Sequence, residues 1–306
     1  MAMPKFVDFF PVYKASNRLI FKQSRCMNRQ GYIDFNTRLS PENSGKAPSY
    51  AMAIKILDEV LPYQNVIDLH GQSLYDVQDP ETIEDVLRLV NDEVKKMKRN
   101  EPNIFDYGKP NQRSYPLKNF CSSALRSLKQ YAQYEQEVVV ADSIVAHEHN
   151  PQTISSKLIA HFDITKEGED KESMTKQRKG QEYFRRMILI NYGGRCALTG
   201  IDIPQLLLAS HIIPWADKSH KQDRLNPSNG ICLSALYDKA FDQGLITFSP
   251  DNYSVVLSSA LLENETKEYF DKHFEIIIGK KLTMPTEYLP NRDFLAYHRD
   301  KVFVGV

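Results

Sequence analysis

The chain has 306 residues, 42% of them apolar, enough for one large core or two ordinary ones. Lys+Arg and Asp+Glu are equal at 39 each, so net charge gives no argument for a polyanionic partner and only local surplus can carry one. Four separated cysteines (Cys26, Cys121, Cys196, Cys232) without a C-x-x-C pair argue against a zinc ribbon or a disulfide framework, and no apolar run approaches the ~18 residues of a membrane span. A soluble, cytoplasmic protein is expected.

Residues 1–50 hold eight Lys/Arg against three Asp/Glu. Phe6, Phe9, Phe10 and Tyr13, followed by Lys14, Arg18, Lys22 and Arg25, are a pattern that contacts nucleic acid or, equally, a core with basic flanks. Gly31 to Asn36 alternates like a short strand. Helical spacing begins near Pro48, with Tyr50, Ile54, Leu57, Val60 and Leu61 on one stripe. A second helix is predicted from Pro80, burying Ile83, Val86, Leu87, Val90, Val94 and Met97 and ending in Lys95, Lys96, Lys98 and Arg99, cations that suit a helix C-terminus. A third buries Leu117, Phe120, Cys121, Ala124, Leu125, Leu128 and Tyr131. Val138 to Val140 suggest a short strand, and the charged run Lys166 to Lys179 reads as a linker or exposed loop.

Gly180 to Tyr192 predicts an amphipathic helix, closed by Gly193-Gly194. Leu206 to Ala209 leads as a strand into Ser210-His211-Ile212-Ile213-Pro214, followed by a polar loop, Asp217 to Arg224, and a turn, Asn226 to Gly230. Ser234 is suited to cap a short helix that sets Asp238 and Asp242 on one side. A hairpin at 245–257, a helix at 260–273, a short strand at 274–278 and a final helix or loop at 292–301 complete the chain.

Four ordered blocks, Cys196 to Gly200, Ala209 to Pro214, Ser228 to Gly230 and Phe241 to Gly244, resemble an HNH endonuclease module, the ββα-metal fold. The likeness covers residues ~180–260. Together with the helical spacing and the charged run before it, this gives an α+β protein: a mostly helical recognition or sensing domain at 1–140, a linker at 141–179, and, by the resemblance, a nuclease domain at 180–306 with a C-terminal docking tail. The resemblance also implies a metal-dependent DNA endonuclease of restriction or other antiviral defence. His211 is the expected base, and Asn229 is expected to hold the loop behind it.

Where the family has its last histidine this chain has Asp238, and Ser210 stands where many relatives have an aspartate ligand. Asp238 and Asp242 are therefore the metal-ligand candidates, Asp242 being alternatively a structural cap. One Mg²⁺ or Mn²⁺ per site is expected, without structural zinc. Arg185, Arg186, Arg195 and Arg224 are the candidates for DNA phosphates, the alternative being ordinary surface charge. The implied partners are double-stranded DNA, a second copy in a homodimer, and a small-molecule or protein activator at the N-terminal domain. A decayed nuclease acting as a DNA- or ligand-binding regulator is the rival reading.

Overall fold

The computed structural model describes residues 13–15, 18–20, 27–39, 46–164 and 171–305. Phe6, Phe9, Phe10, Lys22, Arg25 and Cys26 lie outside the described residues. The chain divides into a unit of Gln23–Val140 and a unit of Met1–Lys22 with Ala141–Val306. Two short strands open it, β1 (Tyr13–Ala15) and β2 (Arg18–Ile20), paired antiparallel with Tyr13 opposite Ile20.

The unit of Gln23–Val140 is helical: α1 (Arg29–Leu39), α2 (Lys46–Val60), α3 (Pro80–Lys98), α4 (Ser114–Leu117) and most of α5 (Phe120–His147). Asp79 caps α3, accepting the Glu81 and Thr82 N–H groups with Pro80 behind it, and all six residues predicted for its inner face are buried. On α5, Cys121, Ala124, Leu125, Leu128 and Tyr131 join this core, whereas Leu117 of α4 is exposed.

Three local expectations change before residue 180. Gly31 to Asn36 is helix, because Asn28 accepts the Gly31 N–H and Tyr32 and Asn36 fall on one buried helical face. Val138 to Val140 continue α5; only Val138 is buried, so the run fits a helix with one side inward. The linker expected at 141–179 is largely helical: α5 runs to His147, α6 spans Pro151–Phe162 and α7 spans Lys171–Asn191. Polar residues of α7 from Lys176 to Lys179 are half-buried, so this part of the helix packs without an apolar stripe to reveal it.

The second unit continues with β3 (Leu207–His211), β4 (Gly230–Ser234), α8 (Ala235–Asp242), β5 (Ile246–Phe248), β6 (Val255–Leu257), α9 (Ser259–Leu262), α10 (Glu268–His273) and α11 (Arg292–Lys301). The expected strand at 274–278 is instead a 3₁₀ turn over Glu275–Ile277, and the helix expected at 260–273 is broken into α9 and α10. Asn291 caps α11, and the Val304 N–H reaches the Gly244 carbonyl. Gly244 is left-handed (φ +66°), and a Cβ there would strike the Val302 backbone, so only glycine serves. His298 of α11 is buried. Its ring lies 3.8 Å from and parallel to Phe241, and hydrogen-bonds Thr247 (2.9 Å) and the Phe241 carbonyl (3.2 Å). It is a core histidine, consistent with the imidazole being pushed down to about 4 by burial.

Candidate active site

Strands β3 and β4 pair antiparallel, Leu207 opposite Ser234 and His211 opposite Gly230, and α8 follows β4 directly. Residues 212–229 form a long connection that needs internal support. Asn229, buried, supplies it. Its Oδ1 accepts the Ile213 N–H (2.8 Å), and its Nδ2 donates to the carbonyls of Ile213 (3.3 Å) and Asp223 (3.0 Å). Its own carbonyl accepts the Ile212 N–H (2.9 Å).

The residue after Asp223 then fixes the histidine. The Arg224 carbonyl lies 2.9 Å from His211 Nε2. A carbonyl only accepts, so Nε2 carries the proton and Nδ1 keeps its lone pair. The ring stacks on Phe184 of α7 (3.9 Å, 15°) and meets the edge of Trp215 (5.5 Å, 77°). Burial pulls this imidazole down to about 4, so at neutral pH it is uncharged and able to take a proton.

One residue back along β3, Ser210 donates its hydroxyl to Asp238 of α8 (2.6 Å). Burial and then the charge of Asp242 raise the Asp238 carboxyl, against the Ser210 hydrogen bond between them in weight. Asp242, one turn on and exposed, is also raised by burial. Among the described residues no group of three or more His, Cys, Asp or Glu side chains is arranged to hold a metal. What the site offers is a pair of hard carboxylates and a hydroxyl. A cation held there would need the rest of its shell from water and phosphate, the habit of Mg²⁺, and would relieve the cost of burying Asp238.

Cys196 Sγ accepts the N–H groups of Thr199 (3.4 Å) and Ser234 (3.2 Å), and Ala197 N–H reaches the Cys232 carbonyl. The cysteine knuckle thus braces the start of α8.

All four arginines proposed for phosphate have partners within the protein. Arg185 donates to the carbonyls of Leu207 and Pro204 (3.2 Å to the latter), clamping the entry to β3. Arg186 pairs with Asp142 at 2.9 Å, where Tyr183 also donates (3.1 Å), so it ties α7 to the end of α5. Both therefore anchor elements of the site. Arg224 is buried, its Nε on the Trp215 carbonyl (2.9 Å) and its guanidinium 5.2 Å over the indole. Arg195 is exposed and 3.5 Å from Asp202.

The structure adds residues that spacing could not single out. Ser155 of α6, fully buried, donates to the Gln222 carbonyl (2.6 Å), and Asn226 donates to Gln152 (3.1 Å). These bonds brace the loop that carries the Arg224 carbonyl. Phe184 was legible only as one apolar residue of α7, and Trp215 as the lone tryptophan beside the histidine.

Residues 196–249 match the family model described as HNH endonuclease. No curated protein matches the chain.

Proposed function

We propose, from the match of residues 196–249 to the HNH endonuclease family model, that this protein is a metal-dependent nuclease that hydrolyses double-stranded DNA. The observation that carries the mechanism is the tautomer of His211. With Nε2–H committed to the Arg224 carbonyl, Nδ1 accepts a proton from a water. The water oxygen bonds to phosphorus, the P–O3′ bond breaks, and the departing O3′ is protonated from solvent, leaving a 5′-phosphate and a 3′-hydroxyl. One Mg²⁺ or Mn²⁺, held by Asp238 with Asp242, water and phosphate oxygens, would supply positive charge at the phosphate and the leaving oxygen. Asn229 and Arg224 keep the base in place, and of the four arginine candidates for phosphate contact Arg195 is the exposed one.

One such module cuts one strand, so cleavage of both strands calls for a homodimer. The family resemblance supports restriction or other defence against foreign DNA in the cytoplasm, with residues 1–140 as the recognition or sensing part. A plasmid-nicking assay across Mg²⁺, Mn²⁺, Ca²⁺ and Zn²⁺ tests the reading. Nicking with Mg²⁺ or Mn²⁺ that disappears in His211→Ala supports it, and equal nicking by that variant overturns it.

The closed Ser210–Asp238 pair, and the lack among described residues of a three-ligand group, favour a second reading: a decayed nuclease that binds DNA or a ligand without cutting. DNA binding without nicking under every metal selects it.

A further inference from the structure

The helical unit holds a cup of about 660 Å³ between the end of α2 and the connection to α3. That is the size of a small-ligand site. Leu61, Pro62, Ile67 and Leu69 supply apolar walls, and Asp58 and Ser73 lie on the polar side. Its rim is pre-formed. Gln64 accepts the N–H groups of Val66 (2.6 Å) and Ile67 (2.8 Å) and donates to the Ile67 carbonyl (2.6 Å). Asp68 accepts the His70 N–H, and Gln72 N–H closes on the Leu69 carbonyl. A rim ordered by its own hydrogen bonds loses little entropy when a ligand enters.

Asp58 sets the chemistry. Its oxygens accept the Ser73 hydroxyl (2.7 Å) and the Leu74 N–H (2.9 Å), but among the described residues no Lys, Arg or His forms an ion pair with it. Two of its acceptor positions stay unused. Burial, with the charge of nearby Asp76 adding to it, raises the carboxyl. Asp68 on the rim adds negative charge, partly answered by exposed His70 at 2.9 Å. A half-buried carboxylate without a counter-ion, inside an apolar-walled cup, is satisfied by a ligand that brings a cation. A polyanion such as DNA is repelled there.

We propose that this cup binds a small organic amine, with its ammonium on Asp58 and its apolar body against Leu61, Pro62, Ile67 and Leu69. The proposal does not depend on the nuclease reading.

The test is calorimetric titration of the full-length protein with phenethylamine, phenethyl alcohol, 3-phenylpropionate and MgCl₂. The amine should bind saturably at about 1 mM or tighter, and the alcohol and the acid at least about tenfold more weakly. Asp58→Asn keeps acceptor and donor atoms for Leu74 and Ser73, so it should fold and lose about tenfold in amine affinity. Gln72→Lys leaves Asp58 untouched and places an internal ammonium at the exposed rim, and it should weaken amine binding as well. Equal binding of the alcohol, unchanged affinity in both variants, displacement of the amine by stoichiometric Mg²⁺, or no saturable amine binding would each overturn the proposal.

Discussion

Ser210 and Asp238 join β3 to α8 through a 2.6 Å hydrogen bond, one residue from the base. The hydroxyl is neutral, so this partner brings the carboxylate no balancing charge. Ser210→Asp would set two carboxylates together, disfavouring ionisation of both without a cation. The expected outcome is a melting temperature a few degrees below wild type in EDTA, with a larger gain on adding Mg²⁺ than wild type shows. Thermal unfolding with and without Mg²⁺ measures this, and an identical Mg²⁺ response in both proteins counts against a cation at Asp238.

The position of His211 gives a pH prediction. Its folded-state value near 4 lies below the ordinary 6.5, so the base is neutral throughout the physiological range. The log of kcat/KM should rise through about pH 4 and stay flat from about pH 5.5 to 8 in respect of this group. The same shift lowers stability as pH falls from 6.5 towards 4, because the unfolded chain takes up the proton first. His211→Ala should reduce turnover by about 10²- to 10⁴-fold with DNA affinity retained. A rate profile with its acid limb centred near 6.5 would contradict the half-buried neutral base.

Ser155 acts at one remove. Removing its hydroxyl leaves the Gln222 carbonyl without that donor, at a cost of about 1–3 kcal/mol. Because Gln222 lies two residues before Arg224, the loop that orients His211 loosens. Ser155→Ala should lower kcat by roughly tenfold or more with KM little changed. It should also move the histidine's titration, read by NMR, towards 6.5. A loss of stability with kcat and titration both unchanged would make Ser155 merely structural.

Gly230 faces α7 across the hairpin. Its φ is ordinary for any residue, but a Cβ there would overlap the Ile188 side chain and come within 2.7 Å of Phe184, the ring on which His211 stacks. Gly230→Ala should destabilise the protein by about 1–3 kcal/mol and reduce activity by tilting that ring. Chemical denaturation paired with nicking rates checks both effects. Phe184→Leu, which keeps bulk but not the ring face, separates packing from stacking.

The sequence by itself determined the order of the site's parts. The blocks at Cys196, His211, Asn229 and Phe241 are local, and strand alternation, an Asn-Gly turn and an i, i+4 acid pair are set by neighbours a few residues away. Long amphipathic helices such as α3 were legible for the same reason: one strong stripe states its own period. What only the tertiary structure decided was how polar groups are used. Arg185 and Arg186 looked available for phosphate because sequence counts charge and not partners; folding placed carbonyls and Asp142 against them. The run from 141 to 179 looked like a linker because its overall composition is polar and its charged stretch Lys166 to Lys179 carries few apolar residues, yet its Ser155 and Gln152 brace the loop behind the base. Above all, the protonation of His211 rests on a carbonyl 13 residues away in sequence and a ring from α7, contacts that no local pattern encodes.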